Sequence, residues 1–240
     1  MQKIRDILWL RIGAESVVIV ASILLAFGID AWWDQRQETN EAQQILLTLH
    51  AEFSDLAGRL ERNLEFMSGR MEDSRQLLIA ASSQSAASVL TMDRYLLSLT
   101  RTPTFDAPSG ARDAVIASGD LAIIPNPQLR ALLASWQTAV DEIRDNQLAM
   151  RDFVLTTFDP YLARRGVPIS RFHQDMKDDP GLPKMPDEDA DQIYRNLISD
   201  PEFGALAAIR YGWFNPEEIE AAIGRAEEIL RLIESELTES

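Results

Sequence analysis

A long apolar run near the N-terminus dominates the hydrophobic pattern of the chain, from Ile12 to Trp33. An α-helix over these residues rises ~33 Å, about the thickness of the hydrocarbon core of a bilayer. Between Val17 and Phe27 the run is apolar around the whole helix, which is typical of a membrane span and not of a one-sided surface helix. The pattern therefore predicts a transmembrane anchor over residues 12–33.

After the anchor, the pattern changes to that of an amphipathic helix. Its apolar residues alternate at intervals of four and three, with one extra step of four, at Ala42, Leu46, Leu49, Phe53, Leu56, Leu60, Leu64, Met67 and Met71. Such a seam is typical of a helix in a bundle or coiled coil. Because no proline lies between Ile29 and Met67, we expect the anchor and this helix to form one rod, with a soft break at Ser68–Gly69 as the alternative.

Helix signals continue to the C-terminus and are separated by turn signals. Capping residues, prolines and glycines place further helices at about 91–99, 109–118, 127–164, 203–212 and 217–237. The helix at 203–212 has an alternative description as the kinked end of a helix that begins near Asp189. Strand signals are confined to Leu121–Ile124, and residues 166–190 are predicted to form a loop.

These elements predict an all-α protein, in which the membrane helix continues into an antiparallel helical bundle with a coiled-coil-like first helix. The long helix predicted over residues 127–164 must pack against the helix that follows the anchor. Its predicted apolar face consists of Leu129, Leu132, Leu133, Trp136, Val140, Ile143 and Leu148.

Charge gives the predicted anchor an orientation in a bacterial inner membrane. Residues 1–11 carry Lys3, Arg5 and Arg11 against a single acid, whereas acidic residues crowd the other flank. The positive-inside tendency therefore predicts a cytoplasmic N-terminus over residues 1–11 and an acidic periplasmic domain over residues 34–240. Tryptophans favour the membrane interface, and they bracket the span as predicted interface anchors at Trp9, Trp32 and Trp33.

A cleaved signal peptide is the alternative to a retained anchor, because Ala26 and Gly28 resemble the small residues before a cleavage site. A helix buried in a cytosolic protein is a third interpretation. A retained span is favoured by the tryptophan pair that directly follows the apolar run, and by the carboxylate of Glu15 inside it.

Glu15 needs a partner, because a carboxylate in a membrane costs about 2.5–3.5 kcal/mol. At 100° per residue, Ser22 and Ala26 each lie about 20° from Glu15 around the helix, so the three residues share one stripe. We expect this stripe to contact another membrane helix, in a homo-oligomer or a partner. The alternative is that Glu15 reaches water or Arg11 at the cytoplasmic boundary.

The formal net charge of −15 falls entirely on residues 34–240, because residues 1–33 are neutral overall. Such a domain repels nucleic acid and anionic lipid. The chain has no cysteine, which excludes disulfides, thiolate catalysis and cysteine-bound zinc.

No pattern of catalytic or metal-binding residues stands out, so we expect neither an enzyme nor a cofactor. His50 and His173 belong to no ligand-spaced pair, and no nucleophile or phosphate-loop motif is present. The acidic cluster at Asp187, Glu188, Asp189 and Asp191 lacks the pattern of a calcium loop and is interpreted as a solvated loop. The irregular segment 103–125 has two interpretations, a structural cap or a partner surface that includes Phe105 and Arg112.

Four stretches resemble a family of bacterial single-pass membrane proteins known only as a domain of unknown function. Glu15 precedes the first of them, SILLAFGIDAWWD. The stretches are SILLAFGIDAWWD at Ser22–Asp34, ASGDLAIIPNPQLRALLASW at Ala117–Trp136, SDPEFGALAAIR at Ser199–Arg210 and LRLIESEL at Leu230–Leu237. Ser22 departs from the glycine usual in this family, which weakens the case for the tightest helix packing there. The resemblance implies an anchored, helical architecture and assigns no activity.

Together these observations predict a membrane-anchored, non-enzymatic interaction or scaffold protein of the cell envelope, whose partners are the lipid bilayer and another envelope protein or a second copy of itself. The alternative is a periplasmic small-ligand sensor that signals through a partner membrane protein.

Overall fold

The computed structural model describes residues 2–102, 104–172, 181 and 185–239, and within these ranges it describes the side chains of residues 22–238. Over this part of the chain the fold is all-helical and contains no strand. The predicted fold class of a helical protein is confirmed at this level.

A single helix, α1, runs unbroken for 82 residues from Gln2 to Ser83. The expectation of one continuous rod is confirmed for the backbone, and the helix has no break at Ser68–Gly69. It ends in an alanine- and serine-rich turn, where Gln84 takes a positive φ of 50°. That left-handed residue stops the helix and reverses the chain.

Seven more α-helices follow in the described ranges. They are α2 (Val89–Thr100), α3 (Gly110–Ser118), α4 (Pro127–Phe153), α5 (Asp159–Arg164), α6 (Asp187–Ile198), α7 (Pro201–Gly212) and α8 (Pro216–Glu239). A π-helical turn, Val154–Phe158, joins α4 to α5, so the chain is helical throughout the predicted segment 127–164. Short 3-10 helices occupy Asp120–Ile123 and Ile169–Arg171.

The first hydrophobic core lies where α1, α4 and α8 pack together. The α1 seam from Ala42 to Leu60 is buried as its spacing predicts. The rings of Phe53 and Trp136 join α1 to α4 edge to face, with centroids 5.1 Å apart. α8 runs antiparallel to α4, because Gln128 bonds Glu228 whereas Asn146 bonds Glu218. This half of the molecule is therefore a three-helix bundle.

A second core lies beyond it, at the far end of α1. There α2, α5, α6 and α7 surround the last turns of α1, and their buried side chains include Leu77, Met92, Leu96, Phe158, Tyr161, Tyr194 and Phe203. The rings of Tyr161 and Phe203 stack with centroids 6.4 Å apart. Both cores share α1, which therefore sets their positions along one axis.

The structure corrects some local expectations and decides between alternatives. Helix α2 begins one turn earlier than expected, because the hydroxyl of Ser88 accepts from the backbone N–H of Thr91 and caps it. Residues 120–123 form a 3-10 helix and not a strand. Helices α6 and α7 are separate, which excludes one kinked helix. Leu148 is 50% exposed, and Gln147 takes its place in the interior.

The acidic cluster at 187–191 also differs from expectation. It opens α6, with Asp187, Glu188 and Asp189 in the first turn. Carboxylates there complement the positive end of the helix dipole, so these acids stabilise a helix start. Residues 173–180 and 182–184 of the expected loop lie outside the described residues.

The first part of α1 projects beyond both cores. From Ser22 to Glu41 every described side chain is exposed, including large apolar ones such as Phe27 and Trp33. Within the described side chains, none of the helices carries a stretch long and apolar enough to cross a membrane. Residues 12–21, the first half of the predicted anchor, lie outside the described side chains.

We predict that Leu60→Ala lowers the free energy of unfolding by about 2–5 kcal/mol, because Leu60 is fully buried and its loss leaves a cavity. Leu47, on the same helix, is 58% exposed, so Leu47→Ala should change stability by less than about 0.5 kcal/mol. Urea denaturation of the full chain in mild detergent measures both. Equal losses would contradict the assigned helix face.

Candidate functional site

The residues expected to lie in or beside the membrane all belong to the projecting part of α1. The side chains of Trp9 and Glu15 lie outside those described. Ser22 and Ala26 are exposed on α1, and so are Trp32 and Trp33. Their roles in helix contact and at the membrane interface stay predictions.

The expected partner surface at Phe105 and Arg112 is different, because the structure buries both side chains. Phe105 is 8% exposed, and its backbone N–H donates to Oε1 of Gln147 at 2.6 Å. Arg112 is 6% exposed, and its Nε donates to the carbonyl of Leu133 at 2.7 Å. Both residues therefore fasten segment 104–118 to α4 and are not presented to a partner.

Glu52 of α1 holds the other side of this segment. Its carboxylate accepts from the backbone N–H groups of Ala111 at 2.6 Å and Arg112 at 3.1 Å. These are unpaired donors in the first turn of α3, where a negative charge is favourable. Ser109, the N-cap residue, makes no side-chain cap bond to these donors. The segment is thus clamped between α1 and α4, as a structural cap requires.

Metal and acid–base chemistry find little support in the described residues. His50 bonds Glu234 across α1 and α8 at 3.2 Å, and His173 lies outside the described residues. No group of three or more metal-ligating side chains occurs in the part of the chain that was described.

The most unusual side chain of the bundle is Arg210 of α7, which is completely buried. Its Nε donates to the carbonyl of Leu99 at 2.9 Å and its Nη2 to that of Arg101 at 3.1 Å. Its guanidinium also lies 4.3 Å from the ring centroid of Phe214. Arg210 therefore fixes α7 to the C-terminal end of α2, where free carbonyls and the helix dipole favour a cation.

A second arginine reaches the same end of α2 from α1. Arg70 is 8% exposed, and its Nη1 donates to the carbonyl of Leu97 at 2.9 Å. Its guanidinium lies 4.0 Å from the ring centroid of Phe66. The end of α2 thus holds α1 and α7 together through arginine side chains.

Charges of the same sign converge here. The pKa of Arg210 is lowered to about 9, by burial first and then by the charge of Arg70. The pKa of Arg70 is lowered to about 10, by burial first and then by Arg101, while the opposing effect of Asp73 is smaller. Asp73 itself pairs with Arg94 at 3.2 Å. We call Arg70, Arg101 and Arg210 the arginine cluster; none of them makes a salt bridge among the described residues.

An open groove of about 510 Å³ lies beside this cluster, between α1 and the segment after α2. It is lined by Arg59, Arg62, Asn63, Phe66, Thr104, Phe105 and Asp106. Phe66, which stacks on Arg70, is 40% exposed in it. We call it the arginine groove, and it brings cations and an aromatic ring to the surface of a strongly acidic chain.

Two further polar networks are accounted for by the fold. The hydroxyl of Tyr194 donates to Asp93, which also pairs with Arg171 at 3.2 Å, and this joins α2 to α6. Burial and then the bond to Asp93 raise the pKa of Tyr194. The hydroxyl of Tyr161 donates to Asp200 at 2.7 Å. Both networks join neighbouring helices.

Comparison of the chain with protein-family models, curated proteins and solved structures finds no match. The family resemblance of the four sequence stretches therefore stays a prediction.

Sequence reasoning missed Arg210 and Arg70, although each had a signal. Arg210 follows Phe203 and Ala207 at helical spacings of seven and three, so it falls on the buried face of α7. Arg70 follows Met67 on the buried side of α1 by the same spacing of three. An arginine on an apolar face is the pattern that identifies both.

We predict that Arg210→Lys lowers the free energy of unfolding by about 1–3 kcal/mol, because lysine keeps the charge but cannot replace the fork that holds two carbonyls. Arg225→Lys on the exposed face of α8 is the matched control and should be nearly neutral. Chemical denaturation of both full-length variants measures the difference. A loss for Arg210→Lys no larger than the control would contradict the assigned role.

The hydrogen bond between Tyr161 and Asp200 predicts that the stability of the fold depends on pH. The pKa of Asp200 is lowered, chiefly by the hydrogen bond from Tyr161. The ionised carboxylate therefore stabilises the fold fully above its unfolded pKa of about 3.9 and loses this effect as pH falls through the lower folded pKa. Asp200→Asn should be destabilised at pH 7 and approach the wild type progressively below pH ~4.

Denaturation curves from pH 7 to pH 2.5 measure the difference in free energy of unfolding between Asp200→Asn and the wild type. Tyr161→Phe is the matched variant, since it keeps the carboxylate and removes its main donor; the acid transition should then move to higher pH. If the difference in free energy of unfolding between Asp200→Asn and the wild type stays constant over the whole pH range, the predicted pH dependence is contradicted.

Proposed function

We propose that the chain is a membrane-anchored, non-enzymatic interaction protein of the bacterial cell envelope, with residues 12–33 in the inner membrane and the helical bundle in the periplasm. The observation that carries the proposal is the projecting part of α1. Its described side chains from Ser22 to Glu41 are all exposed, and the large apolar ones lie between Ile23 and Trp33. Exposed apolar surface of this extent favours a lipid environment.

The end of this apolar stretch has the chemistry of a membrane boundary. Trp32 and Trp33 contact each other edge to face at 6.5 Å, and Arg36 lies 5.7 Å from the ring centroid of Trp32. Indole rings beside a cation are typical of the headgroup region. Bundle packing begins at Ala42, so a short polar stretch of α1 separates the proposed lipid phase from the first core.

The unbroken helix supports a mechanical role. Because α1 contributes to both cores and continues into the proposed anchor, a force or rotation on the bundle is carried along one helix to the bilayer. In the membrane, the stripe of Glu15, Ser22 and Ala26 would contact a second copy or a partner helix. An interaction protein that positions its bundle relative to the membrane fits these features.

A small-ligand sensor is the second candidate, and the arginine groove favours it. The groove combines Arg62, the amide of Asn63 and the ring of Phe66 in a volume of about 510 Å³. A ligand bound there would contact α1 directly, and α1 is the element that leads to the membrane.

Paired reporter fusions test the proposed topology. Alkaline phosphatase, which is active only in the periplasm, should be active when fused after Ser240 and after Gln43, and inactive when fused after Arg11. A fluorescent protein that matures only in the cytosol should give the opposite pattern. The fusions should remain in the membrane fraction after a carbonate wash.

A matched control uses the flanking charges. Replacing Lys3, Arg5 and Arg11 with glutamine should reduce the fraction of active phosphatase fusions, whereas the same change at Arg59, Arg62 and Arg75 should not. Release of the protein by carbonate, or a phosphatase that is inactive after Ser240, would overturn the proposal.

A further inference from the structure

We propose that the arginine cluster at the end of α2 is an anion-binding site that takes a small inorganic anion of the size of chloride. This inference is independent of the membrane topology, because it rests on donors inside the bundle.

Two donors of the cluster are buried without an acceptor among the described residues. They are Nη1 of Arg210 and Nε of Arg70. The residues that carry them are 0% and 8% exposed. A buried donor on a charged group that lacks an acceptor costs free energy, so such atoms normally face an ordered water or an ion.

Each guanidinium is also engaged through other nitrogens. Arg210 uses Nε and Nη2 on α2 carbonyls and Arg70 uses Nη1. The flat faces lie against Phe214 and Phe66. These contacts fix both groups in place, so the two buried donors of Arg210 and Arg70 are held in position before any ligand binds.

The local charge is uncompensated. Arg70 lowers the pKa of Arg210, and Arg101 lowers that of Arg70, so the three cations act on one another. The α2 carbonyls supply partial charges only, and Asp73, the acid that acts on Arg70, is bound to Arg94 and to Ser98. One anion among three guanidiniums would relieve this repulsion.

The burial of the two donors limits the ligand. A nucleotide or a peptide carboxylate cannot reach Arg210 at 0% exposure without moving helices, whereas a monatomic anion occupies about the volume of a water molecule. Arg101 is half-buried at the edge of the cluster and marks the side that is open to solvent.

The test measures the thermal unfolding of the full-length protein in mild detergent, in sodium chloride and in sodium gluconate at the same ionic strength. Chloride should raise Tm in proportion to the logarithm of its concentration above the dissociation constant, and gluconate, which is too large, should not. Bromide should replace chloride, and crystals grown in bromide should show an anomalous peak within 3.5 Å of both donors, a distance expected for a ~3.3 Å N–H···halide contact.

Arg101→Gln is the decisive variant, because Arg101 donates no side-chain hydrogen bond to the fold in the described structure and its replacement should leave the bundle folded. It should weaken the apparent chloride affinity by about tenfold. Arg225→Gln removes the same charge from the exposed face of α8 and should leave the chloride response unchanged.

Equal Tm values in chloride and gluconate would overturn the proposal, since the donors would then face water. An equal chloride response in Arg101→Gln, Arg225→Gln and the wild type would also overturn it, because general screening would account for the effect.

Discussion

Packing of the α1 seam against α4 and α8 is the interaction on which the rest of the structure depends. The seam from Ala42 to Leu60 is buried, and it orders the first core around Phe53 and Trp136. Because α1 continues without a break in both directions, the same helix supplies Leu77 to the second core and carries the bare apolar stretch before Trp33. The bundle therefore covers only the later part of α1, and the described side chains from Ser22 to Glu41 are exposed.

Arginine side chains help to hold the second core at the C-terminal end of α2. Arg70 and Arg210 satisfy the last carbonyls of α2 from two different helices. This arrangement joins α1, α2 and α7 at one point and concentrates positive charge in a chain with a formal net charge of −15. The same side chains join the helices and form the proposed anion site, because a guanidinium has more donors than the α2 carbonyls accept from.

The helical class, the α1 seam and most helix boundaries could be predicted because each depends on local spacing or on a cap. Gly119, for example, ends α3 with a φ of 85°, as its place after Ser118 suggests. Gln147 and not Leu148 lies in the interior because position 147 follows Ile143 by four on the buried face of α4. The polar partner of Gln147, the backbone N–H of Phe105, is a tertiary feature that the sequence does not reveal. The burial of Arg112 is similar, because its acceptors lie on α4, far along the chain.

In the proposed arrangement, one continuous helix leaves the lipid phase near Trp33 and enters the bundle at Ala42. Because the chain has no cysteine, single cysteines introduced at each position from 20 to 56 can carry a nitroxide label in lipid nanodiscs. Electron paramagnetic resonance should show low nickel-complex accessibility on all sides of the helix up to Trp33, and high oxygen accessibility outside the stripe of Ser22 and Ala26. From Ala42 onward it should show a 3.6-residue period of protection. A uniform response to the aqueous nickel complex before Trp33 would contradict the account.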